Sequence, residues 1–176
     1  MKRQLKKIVC LALITSMILG QKTLNTTKNV TAKEKKDIKI AIDAGHQARG
    51  NFATEPVGPG SSTRKAKVAG GATGVASHVP EYKLTLAVSK KLKKELKARG
   101  YKVYMIRTKN NVNISNKKRA QLANKSGADI YIRIHADSSN SRAVTGASGL
   151  YPSKANRYVS KLSAKSKKLS SCLLKS

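Results

Sequence analysis

Acidic side chains are what this 176-residue sequence has least of: 8 Asp and Glu stand against 37 Lys and Arg, a net charge of +29. That imbalance argues against a cationic partner and points to polyanionic surroundings: nucleic acid, an anionic membrane face or an anionic cell wall. Aromatic residues are scarce as well, 4% of the chain, with no Trp and one Phe. Proteins that bind RNA or single strands stack bases on interleaved aromatics, so the scarcity argues against that class. Cysteine is nearly missing. Cys10 lies in an N-terminal apolar run and Cys172 is then alone, which excludes an internal disulfide in the mature chain and a Cys-based zinc cluster. No apolar run is comfortably long enough to span a membrane; the N-terminal one, "IVCLALITSMILG", has thirteen residues.

What is there begins with that run. Behind the basic "MKRQLKK" it has the form of a secretory signal, with "VTA" at Val30–Ala32 as a small-residue cleavage site. Residues 1–32 therefore read as a signal peptide, or alternatively as a retained membrane anchor. Residues 33–37 read as a linker and 38–176 as one domain with a core of its own. Residues 37–176 keep 28 basic against 7 acidic side chains. An exported protein with that balance fits an anionic cell-wall polymer better than nucleic acid, and no specific nucleic-acid partner is expected.

Ile38, Ile40 and Ile42 alternate and predict a first strand, which runs into Asp-Ala-Gly-His at 43–46. A Gly- and Pro-rich loop over 47–79 follows. Pro80 opens "EYKLTLAVSKKLKKELKARG", with Leu84, Val88, Leu92 and Leu96 as its apolar stripe, Glu81 in the first turn and Gly100 as the stop. "YKVYMIRT" predicts a second strand. Ser115 caps a second helix that ends at Gly127, and "ADIYIRIHAD" predicts a third strand. "GLY" at 149–151 suggests a short fourth strand, and residues 155–174 suggest a helix with Val159, Leu162, Leu169 and Leu173 on one side. Strands alternating with helices predict an α/β fold, a mostly parallel twisted sheet flanked by helices.

In such a sheet, sites form beyond the carboxyl ends of the strands. His46 follows the first strand, His135 ends the third, and Glu81 begins the helix after the first, so all three fall on one rim. Two imidazoles and a carboxylate are a zinc ligand set that leaves a position open, the mark of a catalytic rather than a structural site. Taken singly, each has an ordinary explanation: a loop His, or a Glu favoured by a helix N-terminus. Together they draw on a chain with three His and four Glu in all. His78 is the spare, suited to a loop or substrate contact. Asp43 suits either orienting a ligand imidazole or capping a turn. Arg107, Arg119 and Arg133 suit either ion pairs or the carboxylates of a substrate.

"IAIDAGHQ", "PEYKLTLAVSKKLKKELKARGYKVYMIRT" and "NISNKKRAQLANKSGADIYIRIHAD" together resemble the zinc-dependent N-acetylmuramoyl-L-alanine amidases of bacterial cell walls, from about residue 38 to 170. The resemblance implies one zinc on His46, Glu81 and His135 and hydrolysis of the amide between N-acetylmuramic acid and the L-alanine of the stem peptide. Peptidoglycan and anionic wall polymers are the implied partners, and the protein is expected to be exported, extracellular or wall-associated. The family also carries a catalytic Glu near its C-terminus. No Asp or Glu follows Asp137 here, and residues 138–176 hold eight basic side chains. The expectation is thus a C-terminally truncated domain, its sheet incomplete and its proton-moving carboxylate unassigned. Glu55 sits in the loop with nothing to place it at the metal, and Glu95 lies roughly 20 Å along the helix from Glu81, at 1.5 Å per residue. The alternative function is a catalytically impaired zinc-containing protein that binds anionic wall.

Overall fold

The computed structural model describes residues 33–141 and 143–175. The segment read as a signal peptide or anchor lies outside them. No helix among the described residues is long and apolar enough to cross a membrane.

Among the described residues from 34 onward, a three-stranded parallel sheet has its first strand in the middle. Strand β1 is Lys39–Ala44, β4 is Lys102–Met105 and β5 is Ile130–Ile134. As the middle strand, β1 is buried from Ile40 to Ala44, on both faces rather than one. Ala41 belongs to a small core with Ile106 and Ala123, against which Tyr104, Leu122 and Ala128 pack. Helix α1, Glu81–Ala98, packs against β1 and β4 and buries Thr85, Leu86 and Ser89. Helix α2, Asn116–Lys125, is capped by Ser115, whose Oγ accepts from the Lys118 amide at 3.1 Å. Gly100 and Gly127, with φ of 89° and 66°, take the left-handed conformation that ends each helix.

Four expectations need correction. Leu84 and Val88 are exposed rather than part of a buried stripe. The segment 47–79 is not one irregular loop. It contains an antiparallel hairpin of β2, Asn51–Pro56, and β3, Arg64–Val68, that sends Val68 into the interior. Residues 149–151 form no strand. The C-terminal helix is also shorter than expected: a 3-10 turn at Ser160–Leu162, with Leu162 exposed, leads into α3, Ser163–Leu173, in which Ser163 is buried and Leu173 exposed.

Candidate metal centre

Strand β1 runs directly into Gly45 and His46. Gly45 is small enough to pass His135: a Cβ there would come within 2.6 Å of His135 Cε1 and of the Ile134 carbonyl. His46 follows with φ of 58°, a left-handed conformation that costs a non-glycine residue free energy and concentrates at functional sites. Its Nδ1 lies 2.8 Å from the Ala69 carbonyl, so Nδ1 carries a proton and donates, which leaves Nε2 as the ring nitrogen a metal could take. That Nε2 is 3.3 Å from Glu81 Oε2.

Glu81, the first residue of α1, is nearly buried. Its Oε2 accepts from the Ala72 amide at 3.0 Å, and its Oε1 accepts from the Ala136 amide at 2.9 Å. His135, just past β5, places Nδ1 3.0 Å from Oε1. The two imidazoles meet edge to face with centroids 4.7 Å apart. One donor atom from each of His46, Glu81 and His135 falls within 4.8 Å of the others, a group that could hold a metal ion. The donor set suits zinc: two imidazoles, a carboxylate and an outer partner holding the Nδ1 proton of His46. His46, His135, Lys65, Val68, Ala69, Asn116 and Arg133 line an open cleft of about 340 Å³.

Burial works against the Glu81 carboxylate, but the Ala136 and Ala72 amides, then His135 and His46, outweigh it and hold its pKa below 4.5. Burial first, then Arg133, holds His135 below 6.5, with Glu81 opposing. Both shifts act on stability in the same direction. A depressed imidazole means the unfolded chain takes the proton first, so stability falls as pH drops through about 6.5. A depressed carboxylate stabilises above 4.5, and that contribution is lost below it. The thermal midpoint of the metal-free protein should therefore fall steadily from pH 7 to pH 4. A midpoint unchanged between pH 7 and pH 5 would contradict the His135 environment.

The other candidate residues divide sharply. Arg133 lines the cleft, but Arg107 and Arg119 do not reach it. Arg107 is buried and donates to the Ala44, Gly45 and Tyr82 carbonyls at 2.8 to 2.9 Å, so it has no fork left for a substrate. Burial, then repulsion from Arg119, lowers its pKa to about 10, with Asp43 opposing. Arg119 is fully buried against Asp43. Asp43 touches neither ligand imidazole; its carboxylate accepts from Arg119 at 2.6 Å and from the Tyr131 hydroxyl at 2.7 Å. It meets the site through Arg133, whose Nε is 3.5 Å away, and through Arg119, which also donates to the His46 carbonyl. His78 is exposed on the loop. Glu55 is buried on β2, where its Oε1 accepts from the Lys117 amide at the start of α2. Glu95 pairs with Arg99 on the surface.

Gly71 is a site residue with no local sequence signal. Its φ is 82°, and a Cβ there would lie 2.9 Å from both Glu81 Oε2 and His46 Cγ. Gly71→Ala should therefore cost about 1–2 kcal/mol of backbone strain and push two donors apart. The expected result is zinc affinity lowered by tenfold or more in a chelator-competition titration; unchanged affinity would mean the cradle is not needed.

No curated protein matches the chain. Among solved structures, it is similar to the N-acetylmuramyl-L-alanine amidase Ami1 from Mycobacterium smegmatis, with 22% identity and a TM-score of 0.55 over 61% of this chain and 50% of that one. The apo form of Ami1 from Mycobacterium abscessus gives 23% and 0.53, over 64% and 50%. The N-acetylmuramoyl-L-alanine amidase from Clostridium difficile 630 gives 30% and 0.50, over 72% and 58%. The chain thus spans about half the length of the first solved structures it matches. Residues 40–175 match the family model for N-acetylmuramoyl-L-alanine amidase. That match covers most of the chain, including both histidines and the glutamate of the rim, and it places the protein in the N-acetylmuramoyl-L-alanine amidase family.

Proposed function

We propose that the protein acts on peptidoglycan as a zinc hydrolase, cleaving the amide between N-acetylmuramic acid and the L-alanine of the stem peptide, outside the cell at the wall. The observation that carries this reading is the convergence of His46 Nε2, Glu81 and His135 at the edge of an open cleft. Zinc bound there would supply Lewis acidity, polarising an amide carbonyl and lowering the pKa of water. The chain's own contribution is placement. Ala69 fixes the His46 tautomer, while the Ala72 and Ala136 amides hold Glu81 ionised and aimed at both imidazoles. Lys65 and Arg133 give the cleft a cationic wall suited to the carboxylates of a stem peptide, and Asn116 offers an amide for its backbone. The surplus of basic side chains suits attraction to anionic wall polymers.

One observation favours a second reading, a zinc-containing wall binder impaired in catalysis. Among the described residues, none that lines the cleft carries a carboxylate, and Glu81 at its edge is already counted among the metal donors. Asp43 is engaged by Arg119 and Tyr131, and Glu55 by α2. A positioned proton-transfer group is worth about 10²–10⁴-fold in rate. Zinc content and peptide release from purified peptidoglycan, measured on one sample, separate the readings. Stoichiometric zinc with release of muramic-acid-free stem peptides supports the hydrolase; stoichiometric zinc with wall binding and no release supports the binder. Absence of zinc binding rejects both.

A further inference from the structure

Arg133 makes a contact that a metal-loaded centre could not keep. Its Nε donates to His135 Nε2 at 2.9 Å. A guanidinium is only a donor, so Nε2 must be the unprotonated nitrogen, and the ring proton is on Nδ1, 3.0 Å from Glu81 Oε1. That is the wrong tautomer for a metal on the Glu81 side. A metal at Nδ1 needs the proton on Nε2, and two N–H groups would then face each other. If the ring instead turned to offer Nε2, the nitrogen that Arg133 holds would be taken. In either case the Arg133–His135 bond must break first.

The released side chain has somewhere to go. Asp43 Oδ2 lies 3.5 Å from the same Nε, and Asn116 Oδ1 already accepts from Arg133 Nη2 at 2.6 Å. Asn116 therefore acts as a pivot, with His135 on one side and Asp43 on the other. The Asp43 carboxylate is fixed by Arg119 and Tyr131, so it does not move to follow.

We propose that Arg133 is an internal competitor for the metal: it occupies His135 in the metal-free chain and turns to Asp43 when the metal enters. This rests on the metal reading above. It is a positioning role, and it sets how tightly a metal must bind imidazole before it can load. Weakly bound, oxygen-preferring cations would not displace it, whereas a cation that bonds imidazole strongly would.

The test compares the full chain with Arg133→Met, which keeps the stem and removes the donor, and with Arg133→Lys, which keeps a charge. Zinc affinity is measured by chelator competition, and the ring nitrogens of His135 are followed by ¹⁵N NMR. Arg133→Met should bind zinc roughly tenfold to a hundredfold more tightly, the equivalent of one charge-assisted hydrogen bond. Arg133→Lys should fall between the two. Metal-free wild type should show His135 protonated at Nδ1 only, and zinc should abolish that pattern. Affinity equal or weaker in Arg133→Met, with wild type binding zinc, overturns the competitor while leaving the metal reading standing. Should a variant fail to fold, the wild-type spectrum decides alone: His135 protonated at Nε2 in the metal-free chain overturns the proposal. Wild type and Arg133→Met both failing to bind zinc overturns it together with the metal reading.

Discussion

On the zinc-hydrolase reading proposed above, Glu81→Ala should leave the protein unable to hold zinc at one per chain and bring any peptide release from peptidoglycan to background. Glu81 is the hinge of the site rather than one donor among three. It touches both imidazoles and two backbone amides at once, tying the segment around Ala72 to the end of β5 at Ala136. Removing it deletes the only charged ligand of the set and leaves two part-buried amides without their acceptor. Loss of an outer partner to a ligand typically lowers metal affinity or activity by about 10–100-fold, and loss of a ligand with two such partners should exceed that. His135→Ala is the companion variant. It removes a ligand but leaves the amides paired with Glu81, so it should lose the metal with less loss of stability. Zinc by elemental analysis, with thermal melts of both variants, reads the two effects separately. Stoichiometric zinc retained in either variant would place the metal elsewhere.

The convergence of His46, Glu81 and His135 was legible because it draws on scarce residue types at positions a parallel sheet brings together. Strand ends and helix starts share one rim, and the caps at Ser115, Gly100 and Gly127 fix where the helices begin and stop. The apolar stripe on α1 was misread for a geometrical reason. Leu84, Val88, Leu92 and Leu96 recur every four residues, and on a helix of about 3.6 residues per turn such a row drifts some 40° per step. Leu84 and Val88 therefore rotate out to solvent while Thr85, Leu86 and Ser89 turn in. The hairpin β2–β3 was hidden because its burial runs against composition: Phe52 is 75% exposed and Glu55 is 5% exposed. The fates of Arg107 and Arg119 had no local signal at all. Arginines are seldom buried, and what buries these two lies far off in sequence, Asp43 being 76 residues from Arg119.

Arg119→Met should destabilise the domain by about 3–5 kcal/mol, the usual cost of leaving one partner of a buried ion pair alone. Arg119 and Asp43 are both fully buried, and their charges meet at 2.6 Å. The guanidinium does more than neutralise Asp43. Its remaining donors reach the Ala44 carbonyl at 2.9 Å, the His46 carbonyl at 2.9 Å, Gln47 Oε1 at 3.3 Å and the Ile114 carbonyl at 3.1 Å. It thereby holds the strained turn that carries His46. Arg119→Lys should not rescue, because a single ammonium cannot reproduce a planar fork serving five acceptors. Pairing the change with Asp43→Leu should recover part of the loss, since no uncompensated charge then remains. The cycle of Arg119→Met, Asp43→Leu and the double variant, followed by urea unfolding, should give a coupling energy within the 0.5–3 kcal/mol seen for residues in contact. Strictly additive losses would mean that the pair matters only through separate contacts. Even where the double variant folds, zinc affinity should stay reduced, because the His46 carbonyl has lost its donor and the turn that aims Nε2 at Glu81 is no longer held from below.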